Sequence, residues 1–200
     1  MTTGAALSAL PPPPLPLRTE RLVLRPVTLT DTDAIAAYCA DPAVTRFLPF
    51  PTLDAAGAAE RVARMASSTH PRADGEMLAL AVEHEGRLVG DLLLRLVGAG
   101  SGVGEGPSGP AMAEVGWVIA PQAQRRGFAS EAAAALVDLA FDHFGLHRLI
   151  ARLDPANLAS AVVCERLGMR HEAHLRGDYL EDDGSWGDTT IYGLLRTDRR

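Results

Sequence analysis

Residues 113–153 place the strongest constraint on how this chain folds. The stretch 113–120 is apolar and rich in β-formers, as a buried strand is. A turn, Pro-Gln-Ala-Gln-Arg-Arg-Gly, follows at 121–127, and a long Ala-rich amphipathic pattern runs over 126–144 up to Gly145. A second apolar stretch comes at 149–153. Strand, helix and strand in close succession form a βαβ unit, so the two strands are expected to lie parallel in one sheet.

The turn between the first strand and the helix has the chemistry of an anion cradle. Gly127 lacks a Cβ, so a ligand can approach its backbone closely. The first amides of the following helix have no intrahelical partner, and the helix dipole adds partial positive charge there. Arg125 and Arg126 add full charges with forked donors. A phosphate or pyrophosphate fits such a site. It is not a P-loop, because that motif needs a lysine and every basic residue here is arginine. The string Gly104-Glu-Gly-Pro-Ser-Gly109 has the letters of a dinucleotide fingerprint, but Pro110 and another strand pattern follow it, where the fingerprint needs a helix.

The rest of the chain surrounds this unit with a regular series of elements. Residues 1–16 are small, apolar and Pro-rich and read as a flexible tail, with a single domain over 17–200. A strand pattern spans 20–28, and helical patterns span 31–40 and 54–67. Residues 77–84 and 88–97 read as a hairpin about Glu85-Gly86. A Gly-rich loop fills 98–110. After 153 come a helix at 157–167 ending at Gly168, strands at 169–175 and 188–195, and an acidic loop at 177–187 between them. The expected order is β-α-α-β-β-β-α-β-α-β-β, an α/β (α+β) chain with a mixed sheet of about seven strands.

Composition removes several classes of function. A net charge of −6 disfavours nucleic-acid binding. No run of apolar residues is long enough to cross a membrane. The N-terminus has no basic region and is interrupted by Pro11–Pro14, unlike a signal peptide. Cys39 and Cys164 form no disulfide or metal pattern, so a reducing cytoplasm is the expected compartment. His143 and His147 lack a third ligand, and no metal is expected.

Gln124-x-x-Gly127-x-Ala129 resembles the acetyl-CoA signature of the GNAT N-acetyltransferases. The longer string Gly127-Phe-Ala-Ser-Glu-Ala132 is similar to the branch that acetylates the N-termini of ribosomal proteins. Arg18-Thr-Glu-Arg-Leu-Val-Leu-Arg-Pro26, Ala113-Glu-Val-Gly-Trp-Val-Ile-Ala120, and Asn157-x-x-Ser160 with Glu165-Arg-Leu-Gly-Met169 resemble further blocks of that branch, in its order. The resemblance spans about residues 17–196 and implies the GNAT fold, in which the two parallel strands splay apart. It implies that Gln124, Arg125, Arg126, Gly127, Phe128, Ala129 and Ser130 hold the pyrophosphate of acetyl-CoA. The backbone of Val118 and Ile119 would pair with the pantetheine arm, and Asn157 would hydrogen-bond it.

The chemistry expected of such a site joins an amine to a thioester. The amine must shed a proton before it attacks, and the departing thiolate benefits from receiving one. Glu114 is the candidate base and Ser160 the candidate partner of the thiolate. Where many GNAT enzymes have a tyrosine one turn beyond Ser160, this chain has Cys164. The expected acceptors are a protein N-terminus, an antibiotic amine or a small metabolite, and the branch often forms homodimers. Tyr38, Phe47, Trp117 and Trp186 are candidates for lining the acceptor pocket, and the acidic loop is a candidate for attracting the amine. Two other readings of the same residues are a non-catalytic acyl-CoA sensor and a nucleotide-binding protein.

Overall fold

The computed structural model describes residues 11–98, 112–181 and 184–199. Its centre is one eight-stranded sheet. The strands are β1 (Leu17–Arg18), β2 (Val23–Pro26), β3 (Met77–His84), β4 (Arg87–Val97), β5 (Met112–Ile119), β6 (Arg148–Leu153), β7 (Arg170–Leu180) and β8 (Trp186–Leu195). They lie in the order β1-β2-β3-β4-β5-β6-β8-β7. Among the described residues the only parallel pair is β5 with β6, as the βαβ reading requires.

The described residues form five α-helices: α1 (Thr32–Cys39), α2 (Pro42–Thr45), α3 (Ala55–Ser67), α4 (Phe128–Asp142) and α5 (Leu158–Arg166). Three of their starts are capped by a side chain. Asp41 accepts from the Ala43 N–H at the head of α2, Asp54 from Gly57 N–H at α3, and Asn157 from Ser160 N–H at α5. Pro42 opens α2, because proline at the first helical position loses no hydrogen bond.

The sheet buries both faces, which accounts for the continuous apolar run of β3. Leu78, Leu80 and Val82 point into a core built with Leu92, Leu94 and the α4 side chains Phe128, Leu136, Ala140 and Phe141. Ala79 and Ala81 point the other way, under Ile35 and Tyr38 of α1 and Val62 and Met65 of α3. The small alanines let that helical layer come close to the sheet. In α4, Phe128, Ala132, Leu136 and Ala140 recur every four residues along one buried stripe.

The expected mixed sheet of about seven strands has eight, the short segment Leu17–Arg18 pairing with β2. One expectation is corrected. The 177–187 segment is not a loop throughout: β7 extends to Leu180 and β8 begins at Trp186, with a register shift between Leu175 and Tyr179 absorbing the irregularity. Asp178 and Asp188 therefore sit on strands. The Gly-rich segment after Gly98 and the acidic pair Asp182 and Asp183 lie outside the described residues. Leu15, in the segment read as a tail, packs against the main core.

Gly90 on β4 faces the Val118–Ile119 end of β5 so closely that an added Cβ would overlap the Val118 carbonyl oxygen and press on the Ile119 backbone. Gly90→Ala is expected to destabilise the fold by about 1–3 kcal/mol through overpacking. Urea denaturation with the wild type alongside measures it.

Candidate functional site

Strands β5 and β6 begin paired and then part. Met112 pairs with Arg148, Ala113 with Leu149 and Glu114 with Ile150, and the ladder ends there. On its other side β5 stays paired with β4 along its whole length. The wedge beyond Glu114 is therefore bordered by a strand with one satisfied edge and one open edge. The Ala120 N–H donates to Val89 O, on the β4 side. By the alternation of a strand, the backbone groups of Ile119 and Trp117 face the wedge, while those of Val118 face β4. The Val118 side chain lies in the core layer under α1 and α3. The backbone contacts expected of Val118 and Ile119 thus divide, and only Ile119 presents its amide edge to the opening.

The turn lies where β5 ends. After the short 3-10 helix Pro121–Ala123, the Gln124 side chain donates back to Ile119 O at 3.0 Å and ties the turn to the strand. Arg125 (φ 59°) and Gly127 (φ 82°) both take the left-handed conformation. Gly127 is the N-cap of α4, and the nearest atom to an added Cβ there is Arg21 Nη2 at 3.4 Å. The left-handed φ disfavours any other residue, and the missing Cβ leaves the helix amides approachable. Arg125 and Arg126 are exposed, whereas the Phe128 ring is buried in the core. Phe128 therefore has only its backbone to offer a ligand. Ala129 and Ser130 are half-buried in the first turn of α4.

A brace not foreseen from the sequence holds this turn. Arg21 donates to Arg126 O at 3.0 Å, pairs with Glu131 at 2.7 Å and lies over the Phe128 ring at 4.8 Å. Arg126 stacks on the same ring at 4.6 Å and meets His84 Nε2 at 3.3 Å. Burial pushes the Glu131 carboxyl up, but hydrogen bonds from Thr19 and from the backbone and side chain of Arg21 outweigh it and leave the group below the usual glutamate range. The brace is thus intact at neutral pH, and its stabilisation is lost as acid titrates Glu131. Arg21 lies over a hundred residues from the turn, so no local spacing signals it.

At the other end of the wedge is a cavity of about 410 Å³. Glu114, Trp117, Asn157 and Ser160 all line it. Glu114 is the last β5 residue paired to β6, and one of its oxygens accepts from Arg95 Nη2 at 2.5 Å. Ser160 sits in the first turn of α5, and its Oγ accepts from Trp117 Nε1 at 3.3 Å across the wedge. A hydroxyl that accepts in this way keeps its own proton to donate elsewhere. The Asn157 side-chain oxygen caps α5 by accepting the Ser160 N–H at 3.1 Å, which anchors both residues. Cys164 is fully buried, and burial pushes its thiol up to about 12, which disfavours the reactive thiolate.

One wall is the segment 46–50, another is the segment 152–154 at the end of β6, and Arg61 and Asp91 also line the cavity. Asp91 is buried on β4; it accepts from Tyr38 Oη at 2.5 Å and from Arg61 Nη2 at 2.9 Å. Arg61 in turn lies over the Phe50 ring at 4.5 Å. Burial and the Asp91 carboxylate both push the Tyr38 hydroxyl far up, so it stays protonated and donates. The sequence does carry a signal for this cluster, an aspartate in the apolar run Leu88-Val-Gly-Asp-Leu-Leu-Leu94. Of the aromatic candidates, Phe47 and Trp117 line the cavity. Tyr38 is buried behind it and Trp186 is exposed away from it. Of the acidic residues near 177–187, Glu181 and Asp188 reach its rim. His143 contacts Pro11 O, and no cluster of metal-ligating residues exists among the described residues.

The chain as a whole is similar to known proteins. The family profile described as Acetyltransferase (GNAT) domain matches residues 21–170. The chain belongs to the GNAT acetyltransferase family. It is 27% identical over 179 residues to YnaD, an N-acetyltransferase of Bacillus subtilis, covering 90% of this chain and 96% of that protein. The crystal structure of a GNAT acetyltransferase from Bacillus anthracis superposes with a TM-score of 0.73 at 27% identity, over 90% of this chain and 97% of that one. Mycobacterium smegmatis RimJ, solved in complex with CoA-disulfide, superposes at 0.72 with 23% identity, over 88% and 83% of the two chains. The GNAT fold read from the motifs is the fold the chain has.

The Arg61–Asp91–Tyr38 cluster holds α1 and α3 to β4. Asp91→Ala leaves Arg61 buried without its counter-charge and is expected to cost about 3–5 kcal/mol. Chemical denaturation measures the loss, and Asp91→Asn, which retains hydrogen bonding, should cost less.

Proposed function

We propose that this protein transfers an acetyl group from acetyl-CoA to a primary amine by direct attack within a ternary complex. The observation that carries the reading is the parting of β5 from β6 at Glu114, with the turn at its far end and the Glu114–Ser160 cavity at its near end. A pyrophosphate fits the turn, where α4 amides, Arg125 and Arg126 converge on a glycine without a Cβ. The pantetheine arm then adds to the open edge of β5, using the backbone groups of Ile119 and Trp117. Asn157 and Ser160 border the arm's thioester end.

In the step itself, the acceptor enters the cavity as an ammonium. Glu114 takes one proton, directly or through a water, and the free amine attacks the thioester carbon. The C–N bond forms and the C–S bond breaks. The thiolate takes a proton from Ser160, which recovers it from the nitrogen as the amide forms. The products are the amide, CoA thiol and a proton passed to solvent through Glu114. Arg95 fixes the Glu114 carboxylate at the mouth of the wedge, and Trp117 fixes Ser160 opposite it. Holding both reactants in this geometry contributes up to about 7–11 kcal/mol of barrier reduction in well-oriented systems. The acceptors that suit the reading are a protein N-terminus, an antibiotic amine or a small metabolite.

Gly127→Trp is expected to abolish CoA binding and leave the fold in place. Calorimetry with CoA and circular dichroism measure the two, and unchanged affinity removes the pyrophosphate assignment. Glu114→Gln is expected to lower turnover by about 10²–10⁴-fold, most strongly at low pH where the amine is protonated, with CoA affinity retained. A wild-type pH–rate profile in that variant removes Glu114 as the base. Tight CoA binding without turnover across peptide, polyamine and aminoglycoside amines identifies a sensor instead.

A further inference from the structure

We propose that Gly116 is the residue that sets which amines the acceptor site admits, and that the site takes amines carried on a broad apolar body. The inference rests on the acetyltransferase reading above. Along β5, Glu114, Gly116 and Val118 lie on one face of the sheet, opposite Arg95, Leu93 and Asp91 of β4. Glu114, Gly116, Val118, Leu93 and Asp91 all line the cavity, so these two strands form its floor. The step between same-face residues is about 7 Å. Gly116 is therefore a notch in that floor, midway between the carboxylate that takes the proton and the buried Asp91.

The notch is space rather than a packing defect. A Cβ built on Gly116 has no atom within 4 Å, and its φ lies outside the left-handed range. The backbone at 116 thus does not require glycine and no neighbouring side chain fills the gap. Gly90, one strand away, is the contrast, since a Cβ there collides with β5. Within the fold, a side chain at 116 would be tolerated. Its absence keeps open the space next to Glu114, where the body of an acceptor lies once its nitrogen reaches the carboxylate.

The surroundings indicate the chemistry of that body. Phe47, Phe50, Met77 and Leu93 give the cavity apolar walls. The floor itself offers a polycation no free counter-charge, because Glu114 is paired to Arg95 and Asp91 to Arg61 and Tyr38; Asp154, Glu181 and Asp188 line the cavity from other elements, Asp188 paired to His174. Arg46, stacked on Phe47 at 4.9 Å, adds positive charge at the same wall. An amine on an aromatic or branched apolar body gains contact there, whereas a slender polyamine gains little.

The test uses the full chain, wild type and the variants Gly116→Ala and Gly116→Val, with ethylamine, spermidine, phenethylamine and phenylalaninamide as acceptors. Thermal shift with and without CoA checks folding and donor binding in each. The expected result is that wild type prefers the aromatic amines, and that Gly116→Val lowers their kcat/KM by about tenfold or more, mainly through KM, while sparing ethylamine. Gly116→Ala should fall between the two, with CoA-induced stabilisation unchanged in both. Equal effects on all four amines, no effect on any, or a wild-type preference for spermidine overturns the proposal while leaving acetyl transfer intact. Failure of the wild type to bind CoA or acetylate any amine overturns the acetyltransferase reading with it.

Discussion

The structure turns on an unequal division of hydrogen bonds along one strand. β5 is paired to β4 from end to end, yet to β6 only as far as Glu114. A sheet interior does not ordinarily leave main-chain groups without partners, because each unmade bond costs free energy. Here the open edge is retained, and what surrounds it gives it a use. α4 and α5 start at the ends where the two parallel strands separate, so both helix N-termini border the opening. The crevice lies beyond the carboxyl ends of parallel strands, the place where α/β sheets generally bind ligands.

The parts legible in the sequence were those fixed by local chemistry. The strand–turn–helix of 113–144 could be read because alternation, an Arg/Gly turn and a four-residue apolar repeat follow one another within thirty residues. Glu114 and Ser160 are named through the resemblance to the acetyltransferase branch, and both line the cavity. What escaped were contacts assembled across the sheet. Arg21 reaches Arg126 and Glu131 from the far end of the chain, and Asp91 meets Tyr38 and Arg61 from two helices. No spacing rule joins such residues. The two-residue strand β1 was missed because it has too few side chains to show a period, and the β7–β8 hairpin was cut short because its acidic residues read as loop.

Polar groups inside the protein and around the site are held in pairs, and each pair fastens one element to another. Asp91 with Arg61 and Tyr38 locks the helical layer over the cavity. Arg25 with Asp31 and Glu83 ties the start of α1 to β2 and β3, and Arg25 holds the Asp31 carboxyl well below the usual aspartate range. Arg148 with Glu172 and Arg152 with Asp178 stitch β6 to β7 across β8. Such pairs add little net stability when exposed, but breaking a buried one strands a charge. They act as registers for the layers around the wedge more than as sources of stability.

Among the described residues, every cation in these pairs is a guanidinium or an imidazole. The whole sequence contains no lysine. Under the proposed function, in which an activated acyl donor meets nucleophilic amines, the protein exposes no side-chain amine of its own to that donor. Arg95 beside Glu114 and Arg126 at the turn stand closest to the chemistry, and a guanidinium is too weak a nucleophile to be acylated there. The arginine pairs that shape the site are thus inert toward an acyl thioester.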